Sequence, residues 1–300
     1  MPSNLTILDR KISLNPNDWT YVYPRERQVP LLVISAGMPR TGTSSLTAAL
    51  KILGYNDVHH MAKVVSNVGE SHYWLRAAEA KFFGRGKPFT KEDWDEVLGS
   101  CMATTDMPSA AFADDLIASY PEAKVILNYR DVDAWYVSIK ETIGRMMGSW
   151  VLRGLALLGD PFLGKYIPMM DAVWVGFFGC GIEDEEGTKR RFREHYEHIR
   201  GIVPDEKRYD MRVGEGWVGL CKFLGKDVPN VEYPRVNDRE AFAKALKVFV
   251  NAAVKRLVVR VVRIGVFAAV VGVGVWYTGF WGEVCAGEVC AGEVCAGEVA

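Results

Sequence analysis

Val29-Pro30-Leu31-Leu32-Val33-Ile34-Ser35-Ala36-Gly37-Met38-Pro39-Arg40-Thr41-Gly42-Thr43-Ser44-Ser45-Leu46 decides the fold. The apolar run from Leu31 to Ile34 reads as a strand buried on both faces. It ends in a turn rich in glycine and hydroxyls. A helix follows, with Leu46, Ala49, Leu50 and Leu53 on one face and Gly54 as its stop. The free N–H groups of a helix start point outward, and the helix dipole favours negative charge there. Thr43, Ser44 and Ser45 add hydroxyl donors and Arg40 adds a full positive charge. The stretch is a phosphate cradle.

It departs from the nucleoside-triphosphate pattern G-x-x-x-x-G-K-[ST]. Gly37 and Gly42 keep the spacing and Ser44 fills the hydroxyl position, but Thr43 stands where the lysine belongs. The nearby cation, Arg40, precedes the second glycine instead. A kinase or NTPase is therefore the weaker alternative.

Around the cradle the chain alternates strand and helix patterns. Cys101–Thr105 reads as a short strand followed by Asp106-Met107-Pro108, and Ala123–Tyr129 as a strong strand ending at Arg130-Asp131. A helix is expected over 133–143, another over 109–120, and a capped start at Thr90 with Asp93 closing the box. This alternation predicts a parallel α/β sheet flanked by helices. Ligands gather beyond the carboxyl ends of such strands. The loop over 37–45, Asp106 and Arg130 all fall there.

The remaining chain is read more coarsely. Residues 58–100 look mainly helical, and residues 144–185 are strongly apolar, either core or a wall for an apolar ligand or membrane. Residues 182–203 form a charged helix on which His195 and His198 are expected to face solvent. Residues 208–213 read as a strand and 217–224 as a helix ending at Gly225.

A formal net charge of −1 provides no global field for nucleic acid, so anionic ligands must be met by local arginines. Cys101, Cys180 and Cys221 are widely spaced, which suits reduced core thiols in a cytosolic compartment, and no metal-ligand spacing stands out. The N-terminus lacks the pattern of a secretory signal. From Ile264 to Gly282 no residue is charged, about the minimum length for a membrane helix. Arg256, Arg260 and Arg263 flank one end, and Trp276, Tyr277 and Trp281 the other. This predicts a cytosolic domain anchored by a C-terminal apolar helix.

Pro39-Arg40-Thr41-Gly42-Thr43-Ser44-Ser45 resembles the 5′-phosphosulfate loop of sulfotransferases, P-[KR]-[ST]-G-[ST]-[ST], which also carries its cation before the glycine. Arg130, with Ser138 eight residues later, is similar to that family's second motif. Phe223-Leu224-Gly225 and Pro234-Arg235-Val236-Asn237 resemble the downstream end of a branch of fungal sulfotransferases with an apolar C-terminal segment.

The resemblance implies 3′-phosphoadenosine 5′-phosphosulfate (PAPS) as donor, no metal, and a hydrophobic small-molecule acceptor. It implies donor contacts from Pro39, Arg40, Thr41, Gly42, Thr43, Ser44 and Ser45, with Arg130 and Ser138, helped by Arg235, at the 3′-phosphate. Arg40 would also serve the transfer itself. Where the family carries K-T-H-x-P, this chain has Thr104-Thr105-Asp106-Met107-Pro108, so aspartate replaces the family's histidine base. Asp106 is favoured as base or orienter of the acceptor, and His59 and His60 after the first helix are the alternatives, His60 ranking second. A membrane-tethered nucleotide-binding scaffold without transfer activity is the reading outside enzymes. The expected organisation is an N-terminal extension (1–28), a sulfotransferase-like domain (29–240), a basic helix leading into the membrane helix (241–282) and a repeat tail (283–300).

Overall fold

The computed structural model describes residues 26–236 and 238–289. The strand expected near Trp19–Tyr23, Asn237, and the tail from residue 290 lie outside them. The chain forms two compact units that divide between Val250 and Asn251.

In the first unit β1 (Val33–Ser35) leads through the glycine loop into α1 (Thr43–Ile52). β2 (Val58–His59), α2 (Met61–Ser66), α3 (Ser71–Phe83), α4 (Lys91–Leu98) and β3 (Ala103–Thr104) follow. Then come α5 (Ala113–Ser119), β4 (Lys124–Tyr129), α6 (Val132–Ile139), α7 (Arg145–Met147), α8 (Trp150–Leu157) and α9 (Leu163–Phe178). α10 (Glu185–Ile202), β5 (Arg208–Arg212) and α11 (Trp217–Leu224) complete the domain, and α12 runs over Asp238–Val289.

The five strands are parallel in the order β2-β3-β1-β4-β5. β1 lies at the centre, with Ile34 opposite Thr104 on one side and Val125 on the other. Val33, Ile34 and Ser35 are all buried, as a strand paired on both edges and covered on both faces requires, but the strand starts later than the apolar run and Leu32 ahead of it is exposed. Leu46, Ala49, Leu50 and Leu53 of the α1 segment pack with Leu220, Cys221 and Leu224 of α11 against Val33, Ala103 and Ile126. Elsewhere Trp74, Trp94 and Phe112 form a buried aromatic group with centroids 5.3–5.8 Å apart.

Three expectations need correction. The mainly helical 58–100 stretch contains β2, whose two residues are too few to show a period. The helix expected over 133–143 is α helix only to Ile139, then a π turn over Lys140–Gly144. His195 does not face solvent. Phe192, His195, Tyr196 and Ile199 share one buried face of α10, while the arginines and glutamates that make the segment look solvated occupy the other. His198 is exposed, as expected.

The apolar 144–185 region is mostly core: Met169, Met170, Val173, Trp174, Phe177 and Phe178 of α9 are buried. α8 differs, leaving Trp150 82% and Leu157 90% exposed.

In the second unit, α12 continues through Gly265, Gly272 and Gly274. Its segment Leu246–Trp276 is long and apolar enough to cross a membrane, and Val258, Val262, Val266, Phe267 and Val270 are exposed.

Candidate active site

The loop after β1 is shaped by close approach. A Cβ on Gly37 would lie 2.3 Å from Asn128 Oδ1 and 2.5 Å from Asn128 O, so only glycine fits. Arg40 (φ 70°) and Gly42 (φ 88°) turn the chain through left-handed conformations. Gly42 occupies the N-cap of α1, so no side chain caps the helix, and its first turn contains no acidic residue. The first N–H groups have no intrahelical acceptors, and the dipole leaves them positive.

Groups from three other elements brace this loop from beneath. Asn128 in β4 accepts from Ser35 Oγ (2.6 Å) and donates from Nδ2 to Thr41 Oγ1 (2.6 Å) and Thr41 O (3.2 Å). The Thr41 hydroxyl donates to Met38 O (2.6 Å). Trp135 Nε1 of α6 donates to Pro39 O (2.8 Å). From α10, Tyr196 accepts from Met38 N–H and donates to Asn128 O, while His195 Nε2 donates to Ala36 O (2.7 Å). Burial outweighs that hydrogen bond and pushes the His195 imidazole down to about 4.

Above the loop, Arg40 Nε donates to the hydroxyl of Ser138, a residue of α6 that is 1% exposed. A hydroxyl that accepts from Arg40 keeps its own proton to donate. Arg130 follows directly after β4, half-buried, with no ion-pair partner among the described residues. The Val236 N–H donates to Ser45 Oγ (3.2 Å), so residues 234–236 reach the loop, and Arg235 beside them is exposed.

On the other side of the loop the two candidate bases meet. His60 Nε2 lies 3.2 Å from Asp106 Oδ2 and 3.3 Å from Ser44 Oγ. His60 also caps α2, its Nδ1 accepting from Ala62 N–H (3.1 Å). With Nδ1 an acceptor, the ring proton sits on Nε2 and points at the carboxylate and hydroxyl. Tyr166 of α9 feels the Asp106 charge: burial first, and that charge second, push its phenol up. Phe162 stacks on Tyr166 with centroids 5.4 Å apart.

The structure thus joins Arg40 to Ser138, Ser44 to His60 and Asp106, and Ser45 to the segment carrying Arg235. No hydrogen bond links Arg130 to these groups among the described residues. Thr41 turns its hydroxyl inward onto Met38 O, its carbonyl accepts from Asn128, and Thr43 is buried. The bracing residues Asn128, Trp135, Tyr196 and His195 do not stand out in the sequence, with one exception. Asn128 interrupts the apolar strand Val125-Ile126-Leu127, and a buried amide must find partners. Among the described residues no cluster of His, Cys, Asp or Glu is placed to hold a metal ion.

Fold and loop define a P-loop-type α/β protein whose donor set suits an anion. Residues 32–242 match the family described as sulfotransferase domain. The chain is also similar to the Ava biosynthesis cluster protein M of Aspergillus versicolor, 33% identical over 211 residues that cover 68% of this chain and 80% of that protein. The protein belongs to the sulfotransferase-domain family, and a sulfotransferase-like transfer activity is supported.

Proposed function

We propose that this protein transfers a sulfuryl group from PAPS to a hydroxyl or amine of a hydrophobic small molecule. The observation that carries the reading is the Arg40–Ser138 contact at 3.2 Å, which joins the loop to α6 in one donor-lined site. The residues fit the donor: two arginines, hydroxyls and uncapped N–H groups suit its phosphates, while Gly37 lets the loop pack tightly on Asn128 and Gly42 takes its left-handed turn.

PAPS, when bound, supplies the sulfuryl group and a nucleotide leaving group. Arg40 and the N–H groups of residues 40–45 hold the 5′ end and neutralise charge on the departing oxygen, with Ser44 and Ser45 as hydroxyl donors. Arg130 clamps the 3′-phosphate, Ser138 donates to it, and Arg235 reaches it from the 234–236 segment. Asp106 takes the acceptor's proton. His60 has Nδ1 committed to Ala62 and its Nε2 proton aimed at Asp106, so the imidazole orients the base and has no free lone pair of its own. Arginine and backbone donors carry the charge without a metal.

Tyr166 and Phe162 give the acceptor an aromatic wall near Asp106, and the relative's place in a biosynthesis cluster suits a small molecule. The transfer domain occupies residues 29–240, and residues 241–282 anchor it to a membrane from the cytosolic side.

Calorimetric titration of wild type and Arg130→Ala with 3′-phosphoadenosine 5′-phosphate, and separately with ATP and Mg²⁺, tests the assignment. Selective binding of the 3′-phosphorylated nucleotide, lost in the variant, is expected. Preference for ATP would overturn the reading. Donor binding without turnover across a broad acceptor panel would favour a scaffold.

A further inference from the structure

We infer that His59 and Glu70 are positioning residues that clamp the turn carrying Asp106. The inference rests on the transfer reading, in which Asp106 receives the acceptor's proton. Asp106 has φ 65°. A side-chain-bearing residue holds that left-handed conformation only where its surroundings over-determine it.

His59 supplies the determination on both sides of Asp106. Its carbonyl accepts from Thr105 N–H (2.8 Å) and from Thr105 Oγ1 (2.9 Å), fixing the residue before. Its Nδ1 lies 3.0 Å from Ser109 Oγ, fixing the residue three places after. Between them, Ala110 N–H donates to Asp106 O (3.0 Å) and closes the turn.

Glu70 sets the direction of this clamp. Its Oε1 accepts from Trp74 Nε1–H (2.8 Å), an indole that can only donate. The same oxygen lies 2.6 Å from His59 Nε2, so that nitrogen carries the proton. In the neutral ring Nδ1 is then an acceptor, and the Ser109 hydroxyl donates to it. His59, Glu70, Trp74, Thr105 and Ser109 are at most 1% exposed, so water cannot substitute for a lost partner. The adjacent His60 meanwhile holds the Asp106 carboxylate directly. One residue of the pair aims the side chain, and the other holds the backbone beneath it.

The test compares Glu70→Leu, Glu70→Gln and Ser109→Ala with wild type. Ser109→Ala removes a single buried oxygen and keeps the test open should Glu70→Leu fail to fold. Because a small misplacement of a reacting group is costly, kcat should fall about tenfold to a hundredfold in Ser109→Ala and Glu70→Leu. Affinity for 3′-phosphoadenosine 5′-phosphate should stay within about twofold, since neither Glu70 nor Ser109 is among its proposed contacts. Glu70→Gln keeps an acceptor for His59 Nε2–H and should restore most of the rate.

Amide hydrogen exchange reads the clamp without catalysis. Faster exchange over residues 105–110, with residues 38–46 unchanged, is the expected result. Unchanged exchange at 105–110, or an equal loss of kcat and nucleotide affinity, would overturn the positioning role. Failure of wild type to bind the nucleotide would instead sink the transfer reading, and the exchange result would still judge the clamp.

Discussion

Asp106→Asn keeps the size of the side chain and removes its ability to take a proton. It should lower kcat by about 10²–10⁴-fold while leaving nucleotide affinity unchanged in calorimetry. His60→Gln, which still donates to the carboxylate, should cost less. The sequence ranks Asp106 ahead of His60 but gives no sign that the two side chains touch, since they belong to separate motifs. Their meeting depends on β2 and β3 lying side by side, which brings His60 Nε2 within 3.2 Å of the carboxylate. Arg40, Arg130 and Ser138 were legible as candidates because their spacing from strand ends is local.

His195 makes a different prediction at the same scale. Its imidazole titrates at about 4 in the fold, against about 6.5 in an unfolded chain. As pH falls the unfolded chain takes up the proton first. The stability held by the neutral ring is therefore complete above about pH 6.5 and drains away toward pH 4. Denaturant titrations should show wild type losing up to roughly 3 kcal/mol more than His195→Gln across that window.

Among the elements, the loop between β1 and α1 is the sharpest test of local geometry. Gly37→Ala would place a methyl 2.3–2.5 Å from Asn128, against both its side chain and its backbone. The loop or β4 must shift, at a cost of about 1–3 kcal/mol. A lowered Tm together with weakened nucleotide binding is the expected outcome, and an unperturbed binding isotherm would show that the loop tolerates the shift. β1, β4, α1 and α11 were readable because each has a long apolar pattern and a clear stop. α4 was readable from Thr90 and Asp93, whose carboxylate accepts the Thr90 N–H at 2.8 Å. β2 escaped because its pairing partner lies more than 40 residues away (Val58 opposite Ala103) and two residues carry no period. The exposed face of α8 escaped because an apolar residue in sequence gives no sign of which helix face the fold leaves open.

For the whole molecule, the proposed anchor predicts that the full chain floats with phospholipid vesicles. Val266→Lys with Val270→Lys should abolish flotation, because each lysine costs about 2.5–3.5 kcal/mol at the centre of a spanning helix. Flotation that survives both substitutions would leave α12 without a spanning role. The strand order has a consequence of its own. Asp106 leaves β3, the cradle leaves β1 and Arg130 follows β4, and these are three adjacent strands. Neighbouring strands are spaced by about 4.8 Å. The sheet therefore acts as a ruler, setting the proposed proton acceptor, the proposed transfer point and the proposed phosphate clamp at successive steps along the carboxyl ends of its strands. Such a ruler is indifferent to what the surrounding helices and loops present. On the proposed function, the aromatic wall at Tyr166 can be exchanged while this spacing stays built into the backbone.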